Sequence, residues 1–167
     1  QALGLGGAFA AVALGALGSA IGTGYAGAAA VGAWKKCYVQ GKPAPMQLAV
    51  FAGAPLSQTI YGFLMMGFIQ SGVEANPAGW PAYLIIGIAA GLAMGVSAMF
   101  QGRAGAGACD AQAETGEGFS NYLIALGIIE TTALFAMVFG KMVVDKLAEA
   151  APAAAAAIQH ATQIIAG

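Results

Sequence analysis

Apolar residues run along this chain in four long blocks separated by short polar stretches. The blocks cover about 3–33, 47–70, 82–108 and 119–147. A helix needs ~20 apolar residues to cross a hydrocarbon core, and each block has that length. The pattern predicts an all-α membrane protein with four transmembrane helices. The first block carries no charge. The fourth carries one carboxylate near its centre, in Leu126-Gly127-Ile128-Ile129-Glu130-Thr131-Thr132-Ala133. Lys141 and Lys146 lie in its last two turns, where their ammonium groups can reach the headgroups.

The connection 34–43 is basic, 71–81 carries only Glu74, and 110–118 is acidic. The first and third connections must share a side. With Arg103, that side holds Lys35, Lys36 and Lys42, against Lys141 and Lys146 on the other. The positive-inside bias puts these two connections in the cytoplasm and both termini outside. After Leu147 the chain is Ala-rich, with Pro152 as a break or first helical residue. Ile158, Ala161, Thr162 and Ile165 share a face, which predicts a short helix at the outer interface. His160 reads as a solvated residue of this extension.

The chain repeats itself. Ser19-Ala20-Ile21-Gly22-Thr23-Gly24-Tyr25 aligns with Ser97-Ala98-Met99-Phe100-Gln101-Gly102-Arg103. Leu56-Ser57-Gln58-Thr59 aligns with Ile128-Ile129-Glu130-Thr131. The organisation expected is a first helical hairpin at 1–72, a parallel copy at 73–147 and an extension at 148–167. The copies differ where it matters: Gln58 stands opposite Glu130, and Thr23 opposite Gln101. The first helix of each pair carries stripes of small residues, Ala11, Gly15, Ser19, Thr23 and Gly27 with Gly18 and Gly22, and then Gly87, Gly91 and Gly95. Such stripes let helix backbones approach closely. They suggest a tight inner circle of the first and third spans, with the second and fourth outside.

Composition sharpens this picture. The chain is 59% hydrophobic and 8% charged, against about a quarter charged in soluble domains. The net charge of -1 gives nucleic-acid binding no electrostatic support. Cys37 and Cys109 form no CxxC or metal-ligand spacing. No basic segment opens the chain, so no signal peptide is expected, and the start at Gln1 reads as processed or trimmed.

An ionisable group at mid-membrane costs roughly 3 kcal/mol on insertion scales, so Glu130 is the default functional residue. Ala54, Ser57, Gln58 and Tyr61 share one face of the second span at i+3 and i+4 spacing. Pro55 removes one backbone hydrogen bond there and frees a carbonyl. Gln101 adds an amide from the third span. Each could simply bond across helices, and Tyr61 reads either as packing or as a hydroxyl donor to Glu130. Together they form an oxygen-rich set suited to a hard cation. One carboxylate balances one positive charge, which leaves Na⁺ and H⁺ as candidates. Thr131 and Thr132 are expected to bond their own i−4 carbonyls. Arg103 reads as a helix-end cation on another face.

Over residues 5–147, the double hairpin, the Gly-rich first helix of each pair and the single mid-membrane Glu130 resemble the rotor-ring subunit of V-type and A/V-type rotary ATPases, the c or K subunit or proteolipid. F-type relatives usually have one hairpin with its own carboxylate. Phe100-Gln101-Gly102-Arg103 and Ile129-Glu130-Thr131 are similar to the sodium-binding members. The resemblance implies a Na⁺ site formed by the Ala54 carbonyl, Ser57, Gln58, Gln101 and Glu130, with Tyr61 bonding the carboxylate. Ser57 replaces a commoner Thr, and the extension lies outside the family pattern. The resemblance further implies a homo-oligomeric ring in a prokaryotic plasma membrane, surrounded by lipid. The ring turns against a stator a or I subunit and joins a central stalk. Such a subunit is not an enzyme on its own, and no GxxxxGK[ST] loop is present. Two other classes stay open. A small secondary transporter or channel would need broken helices and a larger cavity, and a purely structural packing protein would need no Glu130.

Overall fold

The computed structural model describes residues 1–166, with the side chains of residues 151–162, 165 and 166 outside the described set. The elements are α1 (Ala2–Val39), α2 (Leu48–Gly53), a 3₁₀ turn (Ala54–Leu56), α3 (Ser57–Ala75), a second 3₁₀ turn (Pro77–Gly79), α4 (Trp80–Thr115) and α5 (Phe119–Ala166). No strand occurs among the described residues. The segments Ala2–Val39, Leu48–Ala75, Pro77–Thr115 and Phe119–Ala150 are each long and apolar enough to cross a membrane. The fold is all-α with four spanning segments, and the chain is an integral membrane protein.

The helices outrun the apolar blocks. Hydropathy marks where lipid begins, whereas the backbone ladder continues past it. α1 therefore carries Lys35 and Lys36 on its last turns, and α4 runs on through Asp110 to Thr115. Gly116, at φ 73°, then caps α4 in the left-handed conformation, its N–H reaching the Gln112 carbonyl at 2.9 Å. Arg103 is thus not a helix-end residue: α4 continues beyond it to Thr115. Its guanidinium lies over the rings of Tyr25 and Phe100, at 5.6 and 5.7 Å from their centroids. α5 is likewise helical through Ala166, so Pro152 neither breaks it nor starts a new helix; the alanines on both sides are the strongest helix formers. The side chains of Ile158, Ala161, Thr162, Ile165 and His160 lie outside the described residues.

α1 and α4 pack tightly against each other. Their small residues lie backbone to backbone. A Cβ on Gly18 would collide with the Gly95 backbone, one on Gly102 with Gly22, and one on Gly87 with the Gly7 carbonyl. The small stripe of α1 is not all spent on α4. Gly15 faces the Gln58 carbonyl of α3, and Gly27 meets nothing within 4 Å. α3 packs on α1 and α5, while α5 packs on α4 and α3. Only 11% of the most apolar stretch of α5 is buried, against 44% for the third span, which makes α5 the outermost helix.

Two apolar clusters fill the interior. One joins Ala8 and Ala11, Met65 and Ile69, Met94, and Ala133. The other joins Ala30 and Ala33, Leu48 and Phe51, Cys109, and Leu126. On all four spans the residues between these clusters include the polar ones. Side-chain contacts tie the ends. Asn76 Nδ2 donates to the Leu147 carbonyl at 2.8 Å, and Trp34 Nε1 to the Pro45 carbonyl at 2.8 Å. Lys36 bridges Asp110 at 3.1 Å and Glu114 at 3.6 Å; these groups are more than half exposed, so they fix little energy. Gly95→Leu should therefore separate α1 from α4 and destabilise the chain by about 3 kcal/mol or more. Thermal unfolding in detergent should show this, while Gly127→Leu, where a Cβ meets nothing within 4 Å, should leave the midpoint within a few degrees.

Candidate ion-binding site

The second span supplies half of the site because of Pro55. Lacking an N–H, Pro55 cannot bond the Phe51 carbonyl, and the helix tightens into the 3₁₀ turn Ala54–Leu56 before resuming at Ser57. The freed Phe51 carbonyl is approached by Gly105 of α4, where a Cβ would stand 2.8 Å from it. On the first turn of α3, Ser57 Oγ lies 3.1 Å from the Ala54 carbonyl oxygen and 3.2 Å from Gln58 Oε1. A hydroxyl has one proton, so it can satisfy only one of these acceptors at a time. The Ala54 carbonyl also accepts the Ser57 backbone N–H, so Ser57 Oγ stands between one acceptor already bonded and one amide oxygen.

Gln58 is fully buried, and its Nε2 donates to Gln101 Oε1 at 2.9 Å. Gln101, also fully buried, donates from Nε2 to Glu130 Oε2 at 3.2 Å and to the Leu126 carbonyl at 3.1 Å. Tyr61 donates its hydroxyl to Glu130 Oε1 at 2.6 Å. Ala54, Ser57, Gln58, Tyr61, Gln101 and Glu130, the six residues singled out from the sequence, thus fall in one hydrogen-bonded network across three spans. Gln101 takes a different part from the one its oxygen suggested. That oxygen is engaged by Gln58, and its nitrogen faces the carboxylate.

Glu130 is half-buried, and each of its oxygens accepts from a neutral donor. The ion pairs of the described residues involve Lys36, Lys141 and Lys146, and none includes Glu130. A carboxylate among apolar helices therefore has donors to solvate it and no cationic side chain to neutralise it.

Sequence reasoning missed Ser97 as part of the site. Its hydroxyl donates to the Ile129 carbonyl at 2.9 Å and lies 3.5 Å from Gln58 Nε2. The available signal was its position one turn before Gln101 on the same helix face. Thr131 and Thr132 bond the i−3 carbonyls of Ile128 and Ile129, at 2.7 and 2.8 Å, rather than the i−4 carbonyls. Cys37 and Cys109 are both buried and free.

This arrangement defines an integral membrane protein with a carboxylate-centred polar site inside its helix bundle. Residues 84–143 match the family model for the C-subunit of ATP synthase. That stretch spans most of α4 and the apolar part of α5, with Ser97, Gln101 and Glu130, so this part of the chain is similar to the membrane component so named. Comparison with curated proteins gives no match.

The network makes a prediction independent of any ion. Gln101→Met keeps the side-chain volume but removes the acceptor of Gln58 Nε2 and a donor to Glu130 Oε2, at about 1–3 kcal/mol for each buried group left unsatisfied. The unfolding midpoint of the purified protein should fall clearly further than for Ser57→Ala, which removes a hydroxyl already shared between two acceptors.

Proposed function

We propose that the chain is a rotor-ring subunit of a V-type or A/V-type rotary ATPase, carrying Na⁺ across the membrane on Glu130 as the ring turns. The observation that carries this reading is that Glu130, which has no ion-pair partner among the described residues, shares one hydrogen-bonded network with the oxygens of Ala54, Ser57 and Gln58. A bare carboxylate between four apolar spans needs a monovalent cation to travel through the bilayer without net charge. A proton would do this by binding Glu130 alone. The convergence of the Ala54 carbonyl, Ser57 Oγ and Gln58 Oε1 favours Na⁺, a hard cation that such oxygens can ligate.

The match of residues 84–143 to the ATP synthase C-subunit family supports a rotor role for the second hairpin, and the internal repeat extends that role to the first. In this reading the protein does no ATP chemistry. Copies close into a ring whose neighbours and lipid cover the exposed apolar face of α5. A stator subunit of the a or I kind discharges Glu130 through an opposing cation, and a central stalk couples the ring to an ATPase head. The side bearing Lys35, Lys36 and Lys42 faces the cytoplasm.

Carbodiimide labelling of Glu130 across pH, with and without Na⁺, tests the coupling ion. Na⁺ should protect Glu130, and Ser57→Ala should raise the concentration needed by roughly tenfold, about 1.4 kcal/mol. Absence of protection by Na⁺ at any pH would transfer the role to H⁺. Glu130→Gln should abolish transport while the ring assembles. If Glu130→Leu transported normally, the rotor reading would be lost and a structural role would replace it.

A further inference from the structure

We infer that Ser97 is a positioning residue for Glu130: its hydroxyl holds the Ile129 carbonyl and thereby fixes the turn of α5 that carries the carboxylate. The inference rests on Glu130 being the ion carrier. Ser97 is 4% exposed, and its Oγ donates to the Ile129 carbonyl at 2.9 Å. One turn further along α4, Gln101 Nε2 donates to the Leu126 carbonyl at 3.1 Å. Leu126, Ile129 and Glu130 lie at i, i+3 and i+4, so they share one face of α5. α4 thus grips α5 by two backbone carbonyls on the face that presents the carboxylate. Thr132 also donates to the Ile129 carbonyl, at 2.8 Å. That bond is internal to α5 and cannot set its height or rotation against α4.

The duplication supplies a comparison inside the molecule. Ser19 is the counterpart of Ser97 on α1. It is 1% exposed, and its hydroxyl has no hydrogen-bond partner. The hairpin of Ser19 carries Gln58 where the other carries Glu130. Both copies keep a buried serine, and only the copy with the carboxylate uses it to hold the neighbouring helix. If Ser97 served packing alone, the two serines would be engaged alike.

The gap between hydroxyl and carboxylate oxygen matters because Tyr61 and Gln101 reach Glu130 from opposite elements, at 2.6 and 3.2 Å. A small rotation of α5 would favour one donor and lose the other. Releasing the Ile129 carbonyl should therefore loosen the carboxylate and weaken cation occupancy without removing any group that contacts the ion.

The test is carbodiimide labelling of Glu130 in native membranes, read as the Na⁺ concentration giving half-protection and as the pH midpoint of labelling. Ser97→Ala and Ser97→Cys should each raise the half-protecting Na⁺ concentration about three- to tenfold, the range of one hydrogen bond, and should shift the pH midpoint. Ser97→Thr keeps the hydroxyl, and Ser97 borders the open groove lined by Leu92, Val96, Phe100 and Ile128. It should behave as wild type, as should Ser19→Ala. Profiles for Ser97→Ala and Ser97→Cys that superimpose on wild type overturn the inference, as does a Ser19→Ala shift equal to that of Ser97→Ala. Were wild type itself unprotected by Na⁺, the sodium reading would fall, and the pH midpoint alone would decide Ser97 by the same comparison.

Discussion

The structure depends on solvating a carboxylate where water is absent. Gln101 is the pivot of that solvation. Its amide offers two hydrogens and one acceptor oxygen, and all are used: toward Glu130, toward the Leu126 carbonyl, and from Gln58. To serve three partners on two other spans, α4 has to lie close to all of them at once. The bare glycine contacts with α1 bring it there. At Gly18, Gly22, Gly95 and Gly102 no side chain intervenes between the two helices. Packing and chemistry are therefore one constraint: the glycines set how near α4 comes, and the amide sets what it does on arrival.

The polar layer lies between two apolar clusters rather than beside them. Each cluster is built from residues of all four spans, so the helices are pinned above and below the site. This matters for a network whose members are individually weak. A neutral hydrogen bond contributes about 1 kcal/mol, too little to organise four helices. The clusters supply the rigidity, and the amides and hydroxyls then act within a fixed frame. The 3₁₀ turn at Pro55 is the one irregular backbone at this depth. It is tolerated because Pro55 itself is buried, with Gly22 of α1 beside it, while Leu56 at the end of the turn is exposed.

Much of this was legible in the sequence, because bilayer and bundle impose simple rules. Four apolar blocks required four helices, and the small-residue stripes marked helices whose backbones can approach closely. Ala54, Ser57, Gln58 and Tyr61 could be grouped by spacing alone, since one helix face brings them together. The polarity of Gln101 was not legible: which end of an amide faces a carboxylate depends on a donor arriving from another helix, here Gln58. Ser97 was overlooked because a serine in an apolar helix looks like packing until its acceptor, a backbone carbonyl of α5, is known. Arg103 was misjudged as a helix end because hydropathy fades where the helix does not. The i−3 bonds of Thr131 and Thr132 reflect local rotamers that no spacing rule fixes.

The direction of the amide chain also explains why the repeat carries one acid rather than two. Gln58 donates to Gln101, and Gln101 donates to Glu130, so hydrogens run one way along the layer and end on the carboxylate. With Glu in place of Gln58, the Gln101 oxygen would face another acceptor. Turning the amide round would repair that contact and break the one to Glu130. One amide can serve one carboxylate, and like charges in one buried layer would add Coulomb repulsion that the low dielectric magnifies. An ancestral pair of equivalent hairpins could keep both acids only by supplying a second amide. This chain has Thr23 at the position equivalent to Gln101 on α1, where its hydroxyl bonds the Ala20 carbonyl at 3.2 Å and does not reach toward α3. The amide on α4 and the absence of an acid on α3 are therefore coupled: each makes sense only with the other, and together they leave this polar layer with a single carboxylate.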